Sequence, residues 1–333
     1  MNTAATAATI WLYFGALLAA VALCAVWLGM RCAHARLPAP WRFVLRAVVL
    51  GALGAKLIYV LIDMGHLLLV ARMQGLADAA REAFINHQGL MDVSKFAFTG
   101  AWLGVCLACL WQARALGREK TPLFLDALAA PLALLAGLAR LAEVLLNRDF
   151  AWFDIGKYLA QAPALQFFPI GMPQDYGGGY VAWPLAVCVY AGVWALLVSL
   201  PAARCGDGRP GQRFWFVLAA LAIPQVLFES LRGEALSWGF VRAQQLFCAL
   251  AGYGAVCMQV RAALRSGLPR WRARIRLAMG LLCVLVFAGL EFALDKSGIP
   301  AHWCYLAMAL NVVAMLAAGR CPHPSLAGRC EEA

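Results

Sequence analysis

Charge is scarce in this sequence. Only 14% of its 333 residues are Asp, Glu, Lys or Arg, where a soluble domain carries about 25%. A chain so short of charge cannot clothe a soluble domain of this length. Acidic residues are the scarcer kind, with 17 Asp and Glu against 28 Lys and Arg, and the net charge is +11. Histidine is rarer still, with 5, and no Ser/His/Asp or metal-ligand constellation is visible. No metal and no cofactor is therefore expected. No Lys or Arg precedes the first apolar run, about Ile10 to Met30. A cleaved signal peptide wants a charged segment there, so the run reads as a retained first helix. No Pro/Gly/Ser linker, low-complexity tract or soluble domain is present.

What remains is apolar. Hydrophobic residues make up 63% of the chain and the mean hydropathy is +0.74. The fold class expected is all-α, a polytopic integral membrane helical bundle. Of the 12 cysteines, Cys24, Cys106, Cys109, Cys248, Cys257 and Cys283 lie inside apolar runs and read as small hydrophobes. Cys106 and Cys109 form a CxxC, but within an expected membrane helix and with no second pair.

A membrane span needs about 20 mostly apolar residues. Nine stretches qualify: 9–30, 43–63, 97–114, 123–146, 180–200, 213–231, 239–260, 277–294 and 301–319. The odd-numbered loops and the tail hold more than twice as many Lys and Arg as the even-numbered loops. The seventh loop is the richest, with Arg261, Arg265, Arg270, Arg272, Arg274 and Arg276. The positive-inside rule then puts the N-terminus outside and the C-terminus in the cytoplasm. The Arg-rich loop is read as contacting anionic lipid headgroups and not nucleic acid. Two outer loops are long. Residues 64–96 look partly amphipathic, with Leu76, Ala80 and Phe84 at helical spacing. Residues 148–179 are aromatic-rich, which suits an interfacial segment or a groove for a protein substrate.

Ionisable residues inside spans are functional hypotheses by default. Arg46 and Asp126 sit one turn from the cytoplasmic side and are expected to snorkel. At 1.5 Å per residue, Lys56 lies roughly 20 Å from the inner end of its helix, Arg140 and Glu229 roughly 25 Å and Glu291 roughly 20 Å. Arg242, Gln244 and Gln245 open the next helix from the outside. Polar groups of five helices thus share one depth, the outer half of the bilayer. Arg140 and Glu143 are three residues apart, as are Glu229 and Arg232, so each pair shares a helix face. Both pairs could be closed ion pairs. Alternatively two guanidiniums face a cavity and hold a phosphate, for which their planar fork is suited. Lys56 adds a third cation to that layer. Among the histidines, His87 is the one considered as a base.

In order along the chain, these residues resemble the bacterial prolipoprotein diacylglyceryl transferase family over roughly residues 10–260. Gly54-Ala55-Lys56-Leu57-Ile58-Tyr59 is similar to the family's Gly-Gly-Arg-x-x-Tyr segment, with Lys for Arg. Asp126 to Pro131 resembles its Asp-x-x-Ala-Pro helix opening. Gly137-Leu138-Ala139-Arg140 with Glu143 stands where the family has its Gly-Arg-x-Gly-Asn signature. Glu229-Ser230-Leu231-Arg232, then Gly239 and Gln244, resembles the family's Glu-x-x-Arg, Gly and Gln. Thr99-Gly100-Ala101 stands at the family's His-Gly-Gly, Trp183-Pro184-Leu185-Ala186 at its His-Pro-x-Gln, and Glu143 at its signature Asn.

The resemblance implies a multi-pass protein of the bacterial inner membrane. It would move the diacylglyceryl group of phosphatidylglycerol, or a similar anionic phospholipid, onto a lipobox cysteine thiol. Arg140, Glu143 and Arg232 would be catalytic, and Lys56, Tyr59, Glu229, Arg242 and Gln244 lipid-binding. With no histidine at Thr99, the proton falls to Glu143, Glu229 or His87. The expected partners are an anionic phospholipid, a prolipoprotein lipobox segment and the membrane. Residues 1–260 would be the seven-helix core and 261–333 two additional helices with a cytoplasmic tail. The alternatives are a lipid-binding pseudoenzyme without the chemistry, or a transporter, although no internal repeat of the kind transporters often carry is visible.

Overall fold

The computed structural model describes residues 3–75, 77, 98–146, 172–173, 180–181, 210–230, 237–238, 241–296 and 299–319. These form seven helices: α1 Thr3–His34, α2 Trp41–Gln74, α3 Phe98–Leu146, α4 Gln212–Ser230, α5 Ala243–Arg265, α6 Arg270–Lys296 and α7 Ala301–Gly319. Two short antiparallel pairings complete the described residues: β1 Met172–Pro173 with β2 Tyr180–Val181, and β3 Ser237–Trp238 with β4 Val241–Arg242. All seven helices are long and apolar enough to cross a membrane. The chain is a multi-pass helical membrane protein.

Eight of the nine stretches expected to span fall on these helices, and the ninth, 180–200, lies almost wholly outside the described residues. Two expected spans, 97–114 and 123–146, are both in α3. The expected loop between them is instead a break at one residue, Gly117, whose φ of 75° interrupts the helix. Thr121 Oγ1 donates to the Gly117 carbonyl at 2.6 Å and to the Ala113 carbonyl at 3.1 Å, tying the two arms together. Likewise α2 does not stop at residue 63 but runs on through Gln74. The Arg-rich seventh loop shrinks to a turn of a few residues, because its arginines lie on the last turns of α5 and the first turns of α6. In lipid an unpaired backbone group is costly, so helices extend through polar flanks until water is reached.

That turn shows how the ends are made. The Leu268 N–H donates to the Ala263 carbonyl and the Gly267 N–H to the Leu264 carbonyl, with Gly267 at φ 99°. This is a Schellman cap with glycine in the left-handed position. The end of α1 repeats it. The Leu37 N–H donates to the Cys32 carbonyl at 2.8 Å and the Arg36 N–H to the Ala33 carbonyl at 3.0 Å. Here the left-handed residue is Arg36, at φ 52°. Leu37 and Cys32 are both buried and supply the hydrophobic contact of the motif.

Two apolar cores share α4. The first gathers Leu28, Phe43, Phe124, Val217, Leu221 and Phe228 from α1 to α4. The second gathers Ile223, Val226, Val256, Phe287, Met308 and Met315 from α4 to α7. Helix α4 therefore buries two opposite faces and is the most buried of the seven. A helix apolar all round belongs in such a position. Leucines such as Leu53, Leu57, Leu107, Leu285 and Leu310 point outward instead, as a lipid-facing surface requires.

Candidate functional site

The site builds outward from α4. Pro224 removes one N–H from its ladder. One residue later Gln225 begins a polar strip. Gln225 and Glu229 are one turn apart, and Gln225 Nε2 donates to Glu229 Oε1 at 2.5 Å. Glu229 is only 1% exposed. Val226 and Ser230 lie about 100° further round the helix. They face the second core, where Val226 is packed.

Helix α5 opens directly after the β3–β4 pairing, in which Ser237 sits opposite Arg242. A short ribbon thus delivers Gln244 and Gln245 to the first turn of α5. Gln245 is buried. Its Nε2 donates to the Val226 carbonyl at 3.2 Å and to Glu291 Oε1 at 2.5 Å. One amide therefore ties α5 to both α4 and α6. Gln244 is 9% exposed and its Nε2 has no hydrogen-bond partner. Ser230 Oγ and Gln245 Oε1 are also buried without a partner. Tyr305 of α7 donates to the Ser230 carbonyl at 3.4 Å.

The remaining expected residues are placed less completely. Lys56 and Tyr59 share a face of α2, with Lys56 Nζ 5.8 Å from the Tyr59 ring centroid. Arg140 and Glu143 lie on the helical backbone of α3, but their side chains are outside the described residues. Arg242 has a described backbone in β4, and Arg232 and His87 lie outside the described residues. The structure thus joins Gln245 to Glu291 and to the Val226 carbonyl, with Gln244 beside Gln245 in the first turn of α5 and Glu229 bonded to Gln225 near the end of α4.

Some residues have functions that sequence reasoning passed over. Asp126 does not snorkel. Its Oδ2 accepts from the Gly211 N–H at 2.6 Å and its Oδ1 from the Phe214 N–H at 3.1 Å. A carboxylate of α3 therefore caps the N-terminus of α4, where unpaired N–H groups and the helix dipole favour an anion. Arg46 stacks its guanidinium 4.4 Å from the Trp111 ring centroid. The glycines at 54 and 100 are packing residues. A Cβ on Gly100 would collide with the Gly54 carbonyl, and one on Gly104 with the Leu50 carbonyl. Such small residues let α2 and α3 touch backbone to backbone. The Gly100-x-x-x-Gly104 spacing was the available signal for this, and Gln225 four residues before Glu229 was the signal for the polar strip.

No family model, no curated protein and no solved structure matches this chain.

Proposed function

We propose that this membrane protein binds the phosphate headgroup of an anionic phospholipid, phosphatidylglycerol or a similar lipid, at the end of the bundle that holds Glu229 and Gln244. The observation carrying this reading is the buried amide of Gln244. Its Nε2 has no partner, and it stands in the first turn of α5. A helix N-terminus offers free N–H groups and a positive dipole end to an anion. An amide donor buried beside it adds a hydrogen bond that becomes satisfied when an anion is present.

In this reading Arg140 and Arg232 grip the phosphate, with Lys56, Tyr59 and Arg242 around the lipid. The finer proposal is diacylglyceryl transfer in a bacterial inner membrane, with the N-terminus and the site on the outer side. The cysteine sulfur of a lipobox segment attacks the glyceryl carbon bonded to the phosphate oxygen. A carbon–sulfur bond forms, that carbon–oxygen bond breaks, and glycerol phosphate leaves with the electron pair. Glu143 accepts the thiol proton, and the guanidiniums stabilise the charge on the leaving phosphate. The alternative is lipid binding without transfer, because Thr99 stands where the resembled family has a histidine.

The test uses the full-length protein with phosphatidylglycerol and a lipobox peptide, following peptide mass. A gain of one diacylglyceryl group is expected. No gain, in a preparation that retains the lipid, would leave the binding module and remove the transferase.

A further inference from the structure

We infer that the end of α4 and Glu291 of α6 form a binding site for a small monovalent cation of about sodium size, held by the Glu291 carboxylate, Gln245 Oε1 and Ser230 Oγ. The site lies on the face of α4 turned toward the second core, and it is separate from the Gln225–Glu229 strip about 100° away. It stands independently of the lipid reading.

Four observations converge. First, α4 ends at Ser230. The last carbonyls of a helix have no partner within it, and its C-terminal end carries the negative end of the dipole. Second, Glu291 brings a carboxylate to that end. It is 7% exposed, and Gln245 is the described residue that meets it. Third, the Gln245 amide donates to two acceptors, Glu291 and the Val226 carbonyl. Its own Oε1 is left buried with no donor. Fourth, Ser230 Oγ is buried and has no partner.

The chemistry is that of oxygen lone pairs without enough donors. Tyr305 supplies one hydroxyl, directed at the Ser230 carbonyl. Protonating Glu291 would neutralise the carboxylate and add one donor, whereas Gln245 Oε1 and Ser230 Oγ, the latter with its own hydroxyl proton, both stand without a partner. A cation answers the carboxylate and both oxygens at once. One carboxylate with neutral oxygens balances a single positive charge, whereas a divalent ion would leave a net charge buried among apolar helices. Helix C-terminal ends and carbonyl oxygens within membrane bundles are a recurrent setting for such ions. The charged residues nearest in sequence to these ligands include Glu229, on the adjacent strip of α4, Arg232, which lies outside the described residues, and Arg242. The Arg242 strand, β4, runs straight into α5, and the Arg242 side chain lies outside the described residues.

The test is thermal unfolding of the full-length protein in micelles without added phospholipid, in sodium, lithium or N-methylglucamine chloride at one ionic strength. A ligand of the folded state raises the midpoint with its concentration. Sodium is expected to raise it saturably over N-methylglucamine. Glu291→Gln, which keeps an acceptor for Gln245, is expected to abolish that rise, and Ser230→Ala to raise the half-saturating sodium concentration severalfold. Should Glu291→Gln not fold, Ser230→Ala and sodium-23 line broadening by the wild type decide. Equal midpoints in all three salts would overturn the site and leave a protonated carboxyl or an Arg242 counter-ion. A sodium response that survives Glu291→Gln would overturn it as well.

Discussion

Arg36 and Gly267 hold the same place in two caps of one design, and only one of them is glycine. A non-glycine residue in the left-handed region costs roughly 1 kcal/mol. Arg36→Gly is therefore expected to stabilise the protein by about 0.5–1 kcal/mol, read as a higher unfolding midpoint in micelles; an unchanged or lower midpoint would assign the Arg36 side chain a compensating contact. Asp126 works in the opposite direction. It holds two backbone N–H groups of the next helix, so Asp126→Ala is expected to lower stability by about 2–3 kcal/mol. Asp126→Asn keeps acceptor geometry and loses the charge, so it should fall between. If Ala and Asn behave alike, the charge is not what stabilises the cap.

The contact between α2 and α3 is the tightest of the described helix contacts at the level of glycines. Gly54, Gly100 and Gly104 bring backbone against backbone, so any larger residue must separate the helices. Gly104→Leu is expected to cost at least about 3 kcal/mol, as overpacking does in a closed site. Gly15 of α1 meets nothing within 4 Å, and Gly15→Leu should stay within about 0.5 kcal/mol. Similar losses for both would mean that glycine matters through helix flexibility and not through close approach. At this scale the sequence was partly legible. The polar positions of Glu229, Gln244 and Glu291 stood out because charge and amides are rare in apolar runs. Their partners did not, since Gln245 meets Glu291 across 46 residues and no local spacing encodes that. The Asp126 cap, 85 residues from Gly211, was hidden for the same reason.

Across the whole molecule the spans were the most legible feature, because lipid imposes length and apolarity on each one. Boundaries were less so. The extension of α2 to Gln74, the single-residue break at Gly117 and the short turn after α5 all carry polar residues on helical backbone, which hydropathy reads as loop. The double burial of α4 is a tertiary property, visible only when two cores are built on its opposite faces. Those cores also make a prediction for the last two helices. A chain ending at residue 266 lacks α6 and α7 and uncovers Ile223, Val226 and Val256. It is expected to be degraded or aggregated, and a monodisperse, protease-resistant truncated protein would show that the first core suffices alone.

The Gln244 end of the bundle is proposed to hold an anionic lipid headgroup. Native mass spectrometry of the full-length protein, released from mixed phosphatidylglycerol and phosphatidylcholine micelles, tests this proposal most directly. Selective retention of phosphatidylglycerol is expected, and Gln244→Ala, Arg140→Ala and Arg232→Ala should each weaken retention about tenfold, the equivalent of ~1.4 kcal/mol. Equal retention of the two lipids, or phosphatidylglycerol held unchanged by all three variants, would contradict the proposal.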